Sequence, residues 1–344
     1  MIPKVIHLLA SNKFSGAENV VCQIVKMCED ACEMFYCSPK GPIEISLKDK
    51  GIKYIPINKL SKKELKKIYD EYKPDIIHAH DVRASIVASS LSKKCKVISH
   101  IHGNDERKMG KISLKSLLYA LCLKKFSRIF WVSESCLEKY YFKELAKKRS
   151  EVLYNIIDVD DLIKLSKDDE NNYDYDICFI GRLTEVKNPL RALEIMQDVI
   201  SKYRAVKCAV IGDGDMFEDC QNFIKENNLG ENIKMLGFMK NPYKILSDSK
   251  LLLMSSINEG TPMVILEAFA LGVPLVSTPI DGALELLKDE KMGALYSSNE
   301  EAVNQIIKII DRDNTQSKIY LQTFSKDYNN KDIYKEKILE SYKK

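Results

Sequence analysis

Short apolar runs alternate with helix-patterned segments along almost the whole chain, and this restricts the fold more than any other feature. KVIHLLA opens as a buried strand, and SNKFSGAEN follows as a polar loop. From near Ala17, the residues Val20, Val21, Ile24, Val25 and Met27 recur at helical spacing. PDIIHAHD with RASIVASSLSKK repeats the unit, as do KVISHIHG with a helix near 113–125 and RIFWVSE with SCLEKYYFKELAKK, before EVLYNIID. Strand, loop and helix in succession predict an α/β protein with parallel sheets. Residues 164–176 (KLSKDDENNYDYD) are polar and almost free of large aliphatics, which predicts a linker. A second series follows, through DICFIGRL, CAVIGDG, IKMLGF, LLLMSSI, PLVSTPI and GALYSS, with helices between them and a last one over 300–312.

The expected architecture is two Rossmann-like, doubly wound domains facing a cleft, with ligands at the carboxyl ends of the strands. The expected bounds are 1–165 and 166–315. A helical tail over 316–344 carries Tyr320, Phe324, Tyr328, Tyr334, Ile338 and Tyr342, and is expected to return to the first domain. A length of 344 residues agrees with about two domains at roughly 150 residues each. Hydrophobic residues at 45% supply two cores and exclude global disorder.

The net charge of +4 is too small to argue for nucleic acid, which is not expected as a partner. Its distribution is uneven. Residues 1–172 hold 31 Lys+Arg against 23 Asp+Glu, and residues 107–149 hold 12 basic against 3 acidic side chains. Ten cysteines form no C-x-x-C pair, which argues against a zinc ribbon or a thioredoxin-type site. They read as reduced, buried thiols of a cytosolic protein. No run of 18 apolar residues occurs, and the apolar run in MIPKVIHLLASN is too short for a signal peptide. A cytoplasmic location is expected, with peripheral placement on the inner face of the membrane.

The strongest chemical signal is INEGTPMVILEAFALG. Glu259 follows a buried strand, and Glu267 stands eight residues later in the next helix. Gly260 permits close approach of a ligand to the backbone. Pro262 suits a first helical turn, leaving the amides of Met263 and Val264 for an anion. Thr261 lies in the same loop. In IGRLTEVKNP, Gly181, Arg182 and Lys187 follow a strand end, where two cations suit a diphosphate. IGDGDMFED carries Gly212 and Gly214 but has Phe217 where a dinucleotide fingerprint needs its third glycine. SGAEN places Gly16 and Ala17 after the first strand. His100 and His102 alternate along KVISHIHG, which is read as placing them on opposite faces, with His102 nearest the strand end. His78, His80, His100 and His102 have strand spacing, but no Cys, Asp or Glu completes a zinc ligand set, and no metal is expected.

Together these segments resemble glycosyltransferase family 4, retaining enzymes of the two-domain GT-B fold. The resemblance runs in order through GAE (16–18), HG (102–103), VLYNIID (152–158), GRL…KN (181–188), IGDG (211–214), LGF (236–238) and the E-x7-E pair Glu259–Glu267. It implies an acceptor-binding first domain and a second domain that binds a nucleotide sugar. It implies that Glu267 holds the ribose hydroxyls and that Glu259 meets the donor sugar and stabilises charge at its anomeric carbon. Arg182 and Lys187 would grip the diphosphate. Gly16 would let the first loop close on the donor, His102 would contact the sugar, and Leu236, Gly237 and Phe238 would border the base. Ser15 stands where many members carry the first glycine of a Gly-Gly pair.

The implied function is transfer of a hexose or N-acetylhexosamine from a nucleoside diphosphate sugar, UDP favoured, to a saccharide acceptor. The alternatives are another GT-B nucleotide-sugar enzyme such as an epimerase, or a non-catalytic nucleotide-sugar-binding protein. The segment KMGKISLKSLLYALCLKKFSRIF mixes Lys108, Lys111, Lys115, Lys124 and Lys125 with Leu117, Leu118, Leu121 and Leu123, and Lys143, Lys147, Lys148 and Arg149 extend it. It is expected to meet an anionic membrane surface that presents a lipid-linked acceptor.

Overall fold

The computed structural model describes residues 2–103, 109–260 and 262–343. The chain forms two compact units, one of residues 1–156 with 330–344 and the other of 157–329. The fold class is α/β, as the sequence pattern predicts.

The first unit is built on seven strands: β1 Lys4–Leu8, β2 Glu33–Pro39, β3 Tyr54–Ile57, β4 Ile76–His80, β5 Lys96–Ile101, β6 Arg128–Trp131 and β7 Ser150–Val152. They pair in parallel in the order β3-β2-β1-β4-β5-β6-β7. The second unit holds β8 Ile177–Ile180, β9 Cys208–Ile211, β10 Ile233–Gly237, β11 Leu251–Met254, β12 Leu275–Ser277 and β13 Gly293–Leu295. These run parallel in the order β10-β9-β8-β11-β12-β13. Parallel strands covered on both faces read as continuous apolar runs, which is why ICFI, CAVI and LLLM announce themselves.

Two strands of the first sheet have no counterpart in the expected series. In β2 the buried positions are interrupted by half-buried Glu33 and Phe35. In β3 four residues contain an exposed Pro56, tolerable because β3 is an edge strand.

The division between units also differs from the expected 165/166. Helix Val159–Leu165 buries Val159 and Leu162 in the second unit's core, so the chain leaves the first unit at Ile156. The polar stretch 164–176 is therefore a surface connection inside the second unit, where the Tyr173 amide donates to Asp248 Oδ2 at 3.1 Å. The tail divides as well. Helix Thr315–Tyr328 packs on helix Met263–Leu271 in the second unit, with Phe324 edge-on to Phe269. Only helix Lys331–Tyr342 joins the first unit, packing on helix Gly16–Cys28 with Lys335 paired to Asp30 at 2.8 Å.

All ten cysteines are free thiols, and nine of them are buried. Among the described residues no helix is long and apolar enough to cross a membrane.

Candidate active site

In the second sheet β8 and β11 are neighbours although two strands separate them in sequence, and the strand order reverses between them. An open α/β sheet forms its ligand crevice at such a point, beyond the carboxyl ends of the strands. Arg182 and Lys187 follow β8, Glu259 follows β11, and Glu267 stands on helix Met263–Leu271. The two loops are stitched together. The Ile257 amide donates to the Val186 carbonyl at 2.8 Å, and the Ser255 hydroxyl donates to the Lys187 and Asn188 carbonyls at 3.0 and 2.8 Å. Asn188, at φ 49°, turns the chain into a helix that opens with Pro189.

Lys187 Nζ donates to both carboxylate oxygens of Glu259 at 2.6 Å, and the Ser256 hydroxyl donates to Oε1 at 2.5 Å. Both charged side chains are 17% exposed, so the pair is shielded yet reachable from the crevice. Arg182 is exposed and has no ion-pair partner among the described residues. Glu267 sits among buried Val264, Ile265, Leu266, Ala268 and Phe269. Burial pushes its carboxyl up to about 7, although the Tyr243 hydroxyl, which donates to it at 3.3 Å, and the Lys187 charge both oppose the rise. A carboxyl held near neutrality is poised to gain hydroxyl donors, which favour its charged form.

The other described sequence-predicted residues of the second unit lie along the same carboxyl edge. The Gly181 amide donates to the Ile211 carbonyl at 3.0 Å, and the Gly212 amide to the Gly237 carbonyl at 2.8 Å. Gly212 has φ 147°, and a Cβ there would stand 1.8 Å from the Gly181 carbonyl oxygen. The approach of the two backbones is enough to require this glycine. Leu236 is half-buried at the end of β10, and Phe238, 78% exposed, stands just past it. Gly260 accepts from the Gly282 amide at 2.7 Å, which fixes the turn ahead of Pro262. Met263 and Val264 begin the helix, where first-turn amides have no intrahelical acceptor. Thr261 lies outside the described residues.

In the first unit the order reverses between β1 and β4. Exposed Gly16 and half-buried Ala17 begin the helix after β1, behind Ser15, whose hydroxyl donates to the buried Glu18 carboxylate. His102 lies just past β5, half-buried, with its Nε2 2.9 Å from His80 Nδ1. The expectation that His100 and His102 face opposite sides is wrong. Residues two apart on a strand share a face, and the two rings stack with centroids 4.3 Å apart.

Sequence reasoning did not single out Tyr243, Ser256, His7 or His80 as parts of the site. Tyr243 and Ser256 carry no motif signal. The doublet His78–His80 in IIHAH did signal one lined face of a strand.

The basic segment is only partly as expected. Leu123 is buried in the core, and Lys143 and Lys147 are paired to Glu138 and Glu144. Helix Leu114–Ala120 turns Ser116 and Tyr119 inward. That leaves Ile112, Leu114, Leu117, Leu118 and Leu121 exposed, with Lys111, Lys124 and Lys125 beside them. Lys108 lies outside the described residues.

Two family models match. "Glycosyltransferase Family 4" covers residues 14–161, and "Glycosyl transferases group 1" covers 163–323. An uncharacterized glycosyltransferase of Methanocaldococcus jannaschii is 31% identical over 233 residues, 62% of this chain and 57% of that protein. A Campylobacter jejuni protein is 32% identical over 178 residues, 51% of this chain and 48% of its own length. It is named as the N-acetylgalactosamine-N,N'-diacetylbacillosaminyl-diphospho-undecaprenol 4-alpha-N-acetylgalactosaminyltransferase. The chain thus spans about half the length of these two relatives. The crystal structure of Anabaena HepE in complex with UDP and glucose superposes with a TM-score of 0.83 at 20% identity, covering 98% of this chain and 99% of that one.

Proposed function

We propose that this chain, which belongs to glycosyltransferase family 4 and has the GT-B fold class, transfers a hexose or N-acetylhexosamine from a nucleoside diphosphate sugar to a saccharide acceptor, with retention of configuration. The observation that carries the reading is the charged group at the second switch point: Lys187 bonded to Glu259, an unspent Arg182, and Glu267 held near neutrality. UDP is the favoured nucleotide. Anabaena HepE was crystallised in complex with UDP and glucose, and its fold is shared over nearly the whole of this chain.

The chemistry needs little else. The anomeric carbon–oxygen bond breaks, the carbon becomes positive, and the departing phosphate oxygen takes the electron pair. Arg182 and Lys187 lower the energy of that oxygen; fixed charges aimed at developing charge are the largest common source of rate enhancement. Lys187 has three N–H groups. Two bonds to Glu259 leave one donor for a phosphate. The Glu259 carboxylate, held by Lys187 and Ser256, faces the developing positive charge. Glu267 accepts from the ribose hydroxyls, Phe238 offers its exposed ring to the base, and the amides of Met263 and Val264 point at the diphosphate. Gly16 and Ala17 close over the sugar, and His102 contacts it. The acceptor hydroxyl attacks on the face the phosphate leaves, and its proton passes to the leaving phosphate oxygen. The reading needs no metal, because the two cations supply the charge.

The favoured acceptor is a lipid-linked saccharide of a cell-surface polysaccharide. The Campylobacter relative's name describes such a diphospho-undecaprenol acceptor. The leucines exposed beside Lys111, Lys124 and Lys125 suit contact with an anionic membrane surface, on its inner face.

The test is donor turnover by the purified chain with UDP- and GDP-sugars. Release of nucleoside diphosphate that depends on acceptor and on Glu259 supports the reading. Nucleotide binding without turnover on any acceptor, lipid-linked ones included, overturns it in favour of a binding protein.

A further inference from the structure

All five histidines of the chain meet on one face of the first sheet: His7 on β1, His78 and His80 on β4, His100 on β5 and His102 just beyond it. The first four are buried. Four of the rings stack in two pairs, His78 on His80 and His100 on His102, each pair with centroids 4.3 Å apart. Their hydrogen bonds are more selective than their stacking. His7 Nδ1 lies 2.9 Å from His80 Nε2, and His80 Nδ1 lies 2.9 Å from His102 Nε2. His78 stands aside, its Nδ1 bonded to the Tyr342 hydroxyl at 2.8 Å, and neither nitrogen of His100 has a partner among the described residues.

We propose that His80 and His7 are positioning residues for His102, forming an imidazole relay that fixes its ring and presents its Nδ1–H as a hydrogen-bond donor to the donor sugar. The inference rests on the reading of His102 as the sugar contact. A neutral imidazole has one N–H and one lone pair, so the bond made by one nitrogen decides what the other offers. Along His7–His80–His102 every N–H must point the same way. Pointing away from His102 leaves an N–H on His7 Nε2, which is buried without an acceptor. Pointing towards His102 leaves only a lone pair on His7 Nε2 and moves the unpaired N–H to His102 Nδ1, which also has no partner among the described residues but belongs to a half-buried ring beyond the strand end, where a bound ligand can supply the acceptor. The second arrangement places N–H on Nδ1 of all three rings. It gives His102 an Nδ1–H that is enclosed and unpaired among the described residues, and that a sugar oxygen reaching this half-buried ring would satisfy.

The same nitrogens lie close enough for a cation. One atom from each of His7, His78 and His80, and one from each of His80, His100 and His102, fall within 4.8 Å of one another. Two facts favour the relay. The 2.9 Å contacts each need a proton between the nitrogens, so those lone pairs face neighbouring rings rather than a common centre. Among the described residues no thiolate or carboxylate joins either trio to offset a buried divalent charge.

The experiment uses the full chain with 15N-labelled histidine. The imidazole spectra identify the protonated nitrogen of each ring, His102 being assigned by the signals lost in His102→Asn. The relay requires His102 with Nδ1 protonated and Nε2 bare. In His80→Phe, that ring shifts towards the Nε2–H form, and kcat for sugar transfer falls about tenfold or more while UDP affinity is unchanged. His78→Phe, on the same strand and face, keeps the His102 signature and the wild-type kcat. A His102 that carries its proton on Nε2 overturns the proposal, as does a folded His80→Phe with kcat within twofold of wild type. A stoichiometric transition metal in the purified protein, lost with His80→Phe, overturns it in favour of a metal centre. The tautomer measurement needs no substrate, so its failure is distinct from a failure of the transferase reading.

Discussion

At the switch point of the first sheet, the side chains at the carboxyl edge of β1 and β4 are His7 and His80, with His102 just beyond β5. At the switch point of the second, beyond β8 and β11, they are Lys187 and Glu259, with Glu267 on the helix that follows. Topology offers the same crevice twice, and the residue types decide what each can bind. Burial holds the first group neutral, pushing His7 and His102 down to about 3 and His78, His80 and His100 well below the usual imidazole range. In the second group Lys187 and Glu259 are bonded to each other, while burial pushes the Glu267 carboxyl up to about 7. A neutral group that ends in one N–H on His102 suits a sugar oxygen; a group that includes the cations Arg182 and Lys187 suits a diphosphate.

The largest effect expected from breaking this contrast is chemical. Lys187→Ala removes the ammonium from the second switch point and is expected to lower kcat by about 10²–10³, the range for losing one donor to developing charge. Steady-state kinetics with saturating donor measure it, and Arg182→Ala is expected to act in the same direction. A loss confined to KM would place both cations in ground-state binding alone.

The next effect is structural. Gly212→Ala forces a Cβ to within 1.8 Å of the Gly181 carbonyl oxygen at φ 147°. Overpacking of this kind costs about 3 kcal/mol. Chemical denaturation is expected to show it, and an unchanged midpoint would mean that β8 and β9 do not approach as described.

The two switch points are also expected to answer pH in opposite senses. Each buried imidazole has a folded pKa below its unfolded value of 6.5, so its contribution to stability is present above 6.5 and falls as the pH drops towards about 3. The slope approaches about 1.4 kcal/mol per pH unit for each imidazole. Glu267 has a folded pKa raised from 4.5 to about 7, so its contribution is largest below 4.5 and is lost as the pH rises to about 7. Hydrogen exchange on the intact chain at pH 7 and pH 5 is expected to show amides of β1, β4 and β5 losing protection and those of helix Met263–Leu271 holding theirs. Equal loss in both would remove the contrast.

How much of this was legible in the sequence follows the same physics. In the second unit β8, β9, β11 and β12 are short, almost fully buried apolar runs, and charged site residues follow β8 and β11, so pattern and motif pointed to the same edge. β2 and β3 were passed over because their apolar runs are short: MFYC stands between Glu33 and Ser38, and Pro56 interrupts YIPI. The unit boundary was misplaced because polar composition marks exposed chain, whether or not it joins two cores. The imidazole network was hidden for a different reason. His7, His80 and His102 come together through sheet order, and register is not written in any one segment. Gly212 was legible as a residue, and its cause, the Gly181 carbonyl beneath it, was not.

The smallest expected effect concerns the exposed leucines. Replacing Leu117, Leu118 and Leu121 with Gln is expected to leave the melting temperature within about 2 °C, since surface changes rarely exceed about 0.5 kcal/mol. Flotation with vesicles containing anionic lipid is expected to fall several-fold. Unchanged flotation would remove this patch from the membrane reading and leave both switch points untouched.

The central claim is that the second switch point binds a nucleoside diphosphate through a carboxylate poised near neutrality. Calorimetric titration of UDP into the wild type and Glu267→Gln, at pH 6 and pH 8, tests it most directly. The expected result is a gain in affinity from pH 6 to pH 8 that is larger for the wild type than for the variant, whose weaker binding keeps only the pH dependence of the UDP phosphate itself, with extra proton release by the wild type at pH 6. Binding that is equally tight in both proteins, or no binding of any nucleoside diphosphate, would contradict it.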